Sequence, residues 1–146
     1  MAYTNAYTAY KETGVKTASQ GKLIILLYEE ACRQLKAAEE LFQEGDKIPP
    51  KNIEKLNKCI VRSQEIISEL MVSLDMEKGG EIAKNLMALY VWFNQQLLEA
   101  NINRSKERIM TVHKMISDLC GAWNIAVETT APVAAPESYS SIDING

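Results

Sequence analysis

Apolar residues recur at steps of three and four in four separate stretches of this chain. The first runs Ile24, Tyr28, Ala31, Leu35, Ala38 and Phe42, a spacing that puts all six on one face of a helix. Glu29, Glu30, Arg33, Lys36, Glu39 and Glu40 mostly occupy the other side. Thr17 or Ser19 caps the start, Thr17-x-x-Gln20 having the form of a capping box, and Gly45 with Asp46 marks the end. After Ile48-Pro49-Pro50 a second stripe follows: Ile53, Leu56, Ile60, Ser63, Ile67, Leu70 and Leu74. Pro50 suits an early helical position, where its missing N–H costs nothing. The turn Glu77-Lys78-Gly79-Gly80 leads to Ile82, Leu86, Leu89, Phe93, Leu97 and Ala100. The last stripe is Ile109, Val112, Ile116, Leu119 and Trp123, with Asn103 or Ser105 as its cap and an end near Val127.

Four such stretches joined by short turns predict an all-α fold, an antiparallel four-helix bundle spanning 19–127. Residues 1–18 form a short N-terminal cap segment. Residues 128–146, rich in Pro, Ser, Ala and Thr without an apolar period, read as a flexible tail. The run 86–93 has the composition of a buried strand, but the helical register continues on both sides of it. The third stretch stands apart. Ala83, Met87, Tyr90, Val91, Trp92 and Leu98 are apolar too and point away from its seam. A helix apolar on most sides is either covered on most sides or exposes surface for a partner.

Composition narrows the chemistry. The chain has 146 residues, 47% hydrophobic and 24% charged, with a formal net charge of −3, and it lacks the Lys/Arg blocks that neutralise phosphates. Nucleic acid is therefore not an expected partner. No apolar run approaches the ~20 residues of a membrane span, so no stable membrane insertion is expected, and a cytoplasmic location follows. Cys32, Cys59 and Cys120 sit one on each of three predicted helices, which fits reduced, half-buried thiols. His113 is the one histidine, too few for a di-iron or zinc-hydrolytic site. Gly79-Gly80 lacks the Lys and Ser/Thr of a phosphate loop. No cofactor, metal or catalytic residue is expected. A rival reading is a histidine phosphotransfer bundle using His113. Such bundles carry Lys and Gly three and four residues after the histidine, where this chain has Ile116 and Ser117. A structural helical interaction module is the other.

The motifs agree with one another. Thr17-Ala18-Ser19 followed by Leu23-Ile24-Ile25-Leu26-Leu27-Tyr28 resembles the opening of the flagellar secretion chaperones that bind flagellin, the FliS family. Leu86-x-x-Leu89-Tyr90 followed by Leu97-x-Glu99-Ala100-Asn101 is similar to that family's third-helix signature. Asn5-Ala6-Tyr7 with Tyr10 resembles its N-terminal segment, and Trp123 fits its fourth helix. The resemblance covers 5–127. One departure is Val91, where the family commonly has an acidic residue.

The resemblance implies a non-enzymatic export chaperone. It would bind the C-terminal segment of flagellin in the cytoplasm, block premature polymerisation, and aid delivery to the flagellar type III export gate. An anti-sigma factor or a co-chaperone is a further possible partner. On this reading Ile82, Leu86, Leu89, Phe93 and Leu97 hold the bundle together. Met87, Tyr90, Leu98 and Ile102, with Ile66 and Leu70 of the second helix, line or border a groove for an amphipathic client helix. Tyr7 and Tyr10 cover part of that groove until the client binds.

Overall fold

A computed structural model describes residues 18–134, with side chains for 21–128. It contains four long helices: α1 (Ala18–Glu39), α2 (Ile53–Ser73), α3 (Gly80–Asn103) and α4 (Lys106–Ala134). A short 3-10 turn, Pro50–Asn52, precedes α2. Each helix packs on its sequence neighbours, and α1 also packs on α4. The four stand as a closed square with α1 and α3 on opposite corners. The all-α bundle expected from the apolar periods is the fold observed.

The connections show why the helices stop where they do. Regular α1 ends at Glu39, earlier than the expected stop at Gly45 and Asp46. The chain tightens there through Leu41 N–H to the Ala38 carbonyl (3.1 Å) and Phe42 N–H to the Glu39 carbonyl (3.3 Å). Phe42 stays buried even so. Gly45 and Asp46 both take positive φ (78° and 58°), the left-handed geometry that reverses a chain after a helix. Asn52 Nδ2 donates to the Leu41 carbonyl at 3.0 Å, which ties this loop to α2. Between α2 and α3, Asp75 Oδ1 accepts from the N–H groups of Glu77 (3.0 Å) and Lys78 (2.9 Å). At the last turn Arg104 is left-handed and its N–H bonds the Ala100 carbonyl. Ser105 Oγ accepts from Arg108 N–H at 3.3 Å, so Ser105 is the residue that caps α4.

The core is the meeting of four inner faces. The predicted seam of α2 is buried at Leu56, Ile60, Ser63, Ile67, Leu70 and Leu74, and Ser63 satisfies its hydroxyl on the Cys59 carbonyl (2.9 Å). On α4, Ile109, Val112, Ile116 and Trp123 are buried and Leu119 is half-buried. The helix runs on to Ala134, past the end expected near Val127. Nothing between Val127 and Pro132 breaks it, and extending an existing helix costs far less than starting one. The segment 1–17, with Tyr7 and Tyr10, and the tail from 135 lie outside the described residues.

On α3 the seam differs from the expected one. Ala83, Leu86, Tyr90, Phe93, Leu97 and Ala100 are buried, whereas Ile82 and Leu89 are only half-buried. The helix is turned slightly from its most aliphatic face so that Tyr90 enters the core. Its hydroxyl meets that of Tyr28 at 2.5 Å, across the diagonal from α1. Two large rings with mutually satisfied polar tips fill the centre better than Leu89 would.

Candidate functional site

With the core closed, the apolar side chains still in water mark the surface able to take a partner. On α3 these are Val91, Trp92, Leu98 and Ile102, exposed by 48%, 37%, 53% and 66%. Val91, Leu98 and Ile102 fall at steps compatible with one helical stripe, with Gln95 between them. Ile102 borders a hollow shared with Pro50, Ile53, Leu56 and Asn57 at the start of α2. Beyond it, Leu23 and Leu27 of α1 and Val61 and Val72 of α2 line a groove of about 700 Å³. Surface apolar residues scattered singly mean little, but a stripe along one helix and a groove across the neighbouring pair are two apolar surfaces on which a long segment can be seated.

The expected groove residues divide accordingly. Leu98 and Ile102 lie on this exposed stripe. Met87 is half-buried against the core. Ile66, Leu70 and Tyr90 are fully buried, which removes them from the surface of the bundle as it stands. Periodicity marks faces, and on a bundle helix the face beside the seam is also core when a second neighbour covers it. Tyr7 and Tyr10 fall outside the described residues. Sequence reasoning missed Leu23, Val61 and Val72. For Leu23 and Val61 the signal was available, since each is an apolar residue one position off its helix's seam, whereas Val72 falls between Leu70 and Leu74 and is adjacent to neither.

A family model described as flagellar protein FliS matches residues 3–130. The flagellar secretion chaperone FliS of Salmonella typhimurium is 36% identical over 112 residues, 77% of this chain and 79% of that one. Its counterpart in Campylobacter jejuni is 35% identical over 118 residues, covering 81% and 88%, and that of Bacillus subtilis is 28% identical over 129 residues, covering 88% and 91%. The chain belongs to the FliS family.

The residues that carry the FliS resemblance turn out to build the frame. Tyr28 and Tyr90 bond each other across the core. Leu97 and Ala100 are buried. Glu99 pairs with Arg108 of α4 at 3.1 Å, and Gln96 accepts from the same guanidinium at 2.7 Å, which fixes the α3–α4 turn. Asn101 Nδ2 donates to Asn57 Oδ1 of α2 at 2.7 Å. Higher on the same interface Asn94 Nδ2 reaches Ser68 Oγ at 3.3 Å, and Gln64 donates to the Asn94 carbonyl at 3.1 Å. These polar clasps hold α2 against α3 and so set the angle at which Leu98 and Ile102 are presented.

His113 has a structural task as well. Its Nδ1 lies 2.6 Å from Glu39 Oε2, joining α4 to the end of α1, and both side chains are mostly covered. A carboxylate in direct contact disfavours an incoming phosphoryl group through like-charge repulsion. No cluster of metal-ligating side chains occurs among the described residues, and no described helix is long and apolar enough to cross a membrane.

Proposed function

We propose that this protein is a flagellar secretion chaperone that holds the C-terminal segment of flagellin in the cytoplasm. It keeps that segment from polymerising early and presents it to the flagellar export gate. Membership of the FliS family supports the chaperone role. The observation that carries the client surface is the exposed stripe of Val91, Leu98 and Ile102 on a helix whose seam, Ala83, Leu86, Tyr90, Phe93, Leu97 and Ala100, is buried. An amphipathic client helix laid along α3 would bury that stripe, and the groove lined by Leu23, Leu27, Val61 and Val72 offers a second seat for a long segment. A segment that folds as it binds gives up conformational entropy, so several separated anchors are needed for useful affinity. None of this requires catalysis.

Tyr7 and Tyr10 lie on the segment that leads into α1, the helix that carries Leu23 and Leu27. We place them over this apolar surface in the unloaded protein. The test is size-exclusion co-elution with a flagellin C-terminal segment, followed by calorimetry on the full chain and on a chain lacking 1–16. The reading expects a complex, and a changed affinity after truncation with helicity retained. Absence of a complex removes the chaperone reading. Unchanged affinity after truncation removes only the tyrosine cover.

A further inference from the structure

Two of the three cysteines face each other between the first helix and the last. The contact between Glu39 and His113 (2.6 Å) fixes the register of antiparallel α1 and α4. Cys32 lies seven residues before Glu39, and Cys120 lies seven residues after His113. Seven residues are nearly two turns of about 3.6 residues each, so the step returns to the same face on both helices and to the same level of the bundle. The register that joins Glu39 to His113 therefore sets Cys32 opposite Cys120. Ala31 and Gly121, the neighbours of the two cysteines, add little bulk there, and a Cβ on Gly121 would meet nothing within 4 Å. All three cysteines are free thiols of intermediate burial. Cys59, on α2, has no such counterpart in this register.

We propose that Cys32 and Cys120 form a thiol–disulfide site, closed by a low-molecular-weight disulfide, that staples α1 to α4. Cys120 Sγ, as thiolate, attacks one sulfur of the small disulfide. That S–S bond breaks, one half leaves as a thiolate, and a mixed disulfide forms on Cys120. Cys32 then loses its proton to solvent, attacks Cys120 Sγ, and expels the second half. The two cysteine sulfurs are oxidised together, and the small disulfide is reduced to two thiols that take up the released protons.

The surroundings set the conditions for this exchange. Burial, then Cys120, then Glu29 push the Cys32 thiol up to about 11, and burial with Glu29 raises Cys120 as well. The thiolate is the attacking form. Exchange is therefore slow near neutral pH and speeds as pH rises. The raising of Cys32 by Cys120 is a second sign that the two sulfurs are close. For Cys59, burial alone is responsible. Once closed, the bond links the first helix to the last, so the α1–α4 pair no longer separates during unfolding. The client stripe on α3, across the square, stays free.

The experiment treats the folded full-length protein with glutathione disulfide, an acyclic small disulfide, at about pH 9, quenches with an alkylating agent, and maps the peptides. The expected result is an intact mass two hydrogens below that of the singly alkylated chain, a linked pair containing Cys32 and Cys120, and the one alkyl group on Cys59. The unfolding midpoint in denaturant should rise and return to its starting value on reduction. The variant Cys59→Ser should behave in the same way, and Cys120→Ser should lose both the link and the shift. A monomer in which Cys32 and Cys120 stay alkylatable overturns the proposal, as does a product linked mainly through Cys59 or between chains.

Discussion

Leu97 and Leu98 are adjacent in sequence and have opposite tasks, which makes them the sharpest test of the proposed surface. Leu97 is fully buried, while Leu98 is 53% exposed on the α3 stripe. Leu97→Ala should cost roughly 2–5 kcal/mol of folding stability, through lost burial and the cavity left behind. Leu98→Ala should cost less than about 1 kcal/mol, because its outer half has little to lose and Ala favours the helix. Binding should reverse the order. Burying a whole Leu or Ile side chain contributes ~1.5–3 kcal/mol. Scaling by the exposed fractions of Leu98 and Ile102 (53% and 66%) leaves roughly 2–3.5 kcal/mol for the pair to gain from a client. The double variant Leu98→Ala with Ile102→Ala should then weaken binding roughly thirty- to three-hundred-fold. Denaturant unfolding monitored by circular dichroism gives the first quantity. Calorimetry against a flagellin C-terminal segment, in buffer where every variant is folded, gives the second. A Leu98→Ala shift of the unfolding midpoint as large as that of Leu97→Ala, or a double variant that binds like the parent, refutes this division of tasks.

Other expectations follow from single contacts. Tyr28→Phe and Tyr90→Phe should be non-additive, with a coupling of about 0.5–1.5 kcal/mol in a double-mutant cycle by denaturant unfolding, since the two hydroxyls bond each other. Gly80 has φ 58°, so Gly80→Ala should destabilise by about 1 kcal/mol, whereas Arg104→Gly, at φ 51°, should be neutral or stabilising by a similar amount on thermal melting. Cys32, raised from 9.0 to about 11, should alkylate at neutral pH roughly a hundredfold more slowly than an unperturbed thiol on thiolate fraction alone, with a rate that climbs until about pH 11. The same shift has a stability sign: the folded state holds this proton more tightly, so its contribution is complete below about pH 9 and is lost as pH rises through about 11, visible as a falling denaturation midpoint. Val91→Asp should leave folding nearly unchanged, because the side chain is 48% exposed, yet weaken client binding several-fold, read by calorimetry.

How much of this was legible in the sequence depends on what each helix touches. The α2 stripe predicted its buried face because the opposite side carries charges, so only one rotation of the helix is tolerable. On α3 two stripes are nearly equivalent, sharing Leu86, Phe93, Leu97 and Ala100. They differ only in taking Ile82 with Leu89 or Ala83 with Tyr90. Aliphatic bulk favours the first. The structure takes the second, and the deciding group is the hydroxyl of Tyr28, 62 residues away in sequence, which a local period does not contain. The same blindness misassigned Tyr90 to the groove, whereas Leu70 already lay on the α2 stripe and Ile66, beside that stripe, is buried with it. Leu98 and Ile102 were legible because each lies a step beyond the seam, where no neighbouring helix arrives to cover it.

The division between frame and surface bears on where specificity resides. Tyr28, Tyr90, Leu97, Glu99, Ala100 and Asn101 identify the family, and they are spent on the core, the α3–α4 turn and the clasp to Asn57. Val91, the position at which the resemblance read from the sequence leads to an acidic residue, lies on the stripe with Leu98 and Ile102. An acidic side chain there would favour a client with a basic residue at that contact and penalise an apolar one through the cost of desolvating its charge. Valine reverses both terms. On the proposed function, the frame thus fixes the direction in which the stripe points, while a few exposed positions would set which client helix fits it, so the stripe could change its client without disturbing the bundle that presents it.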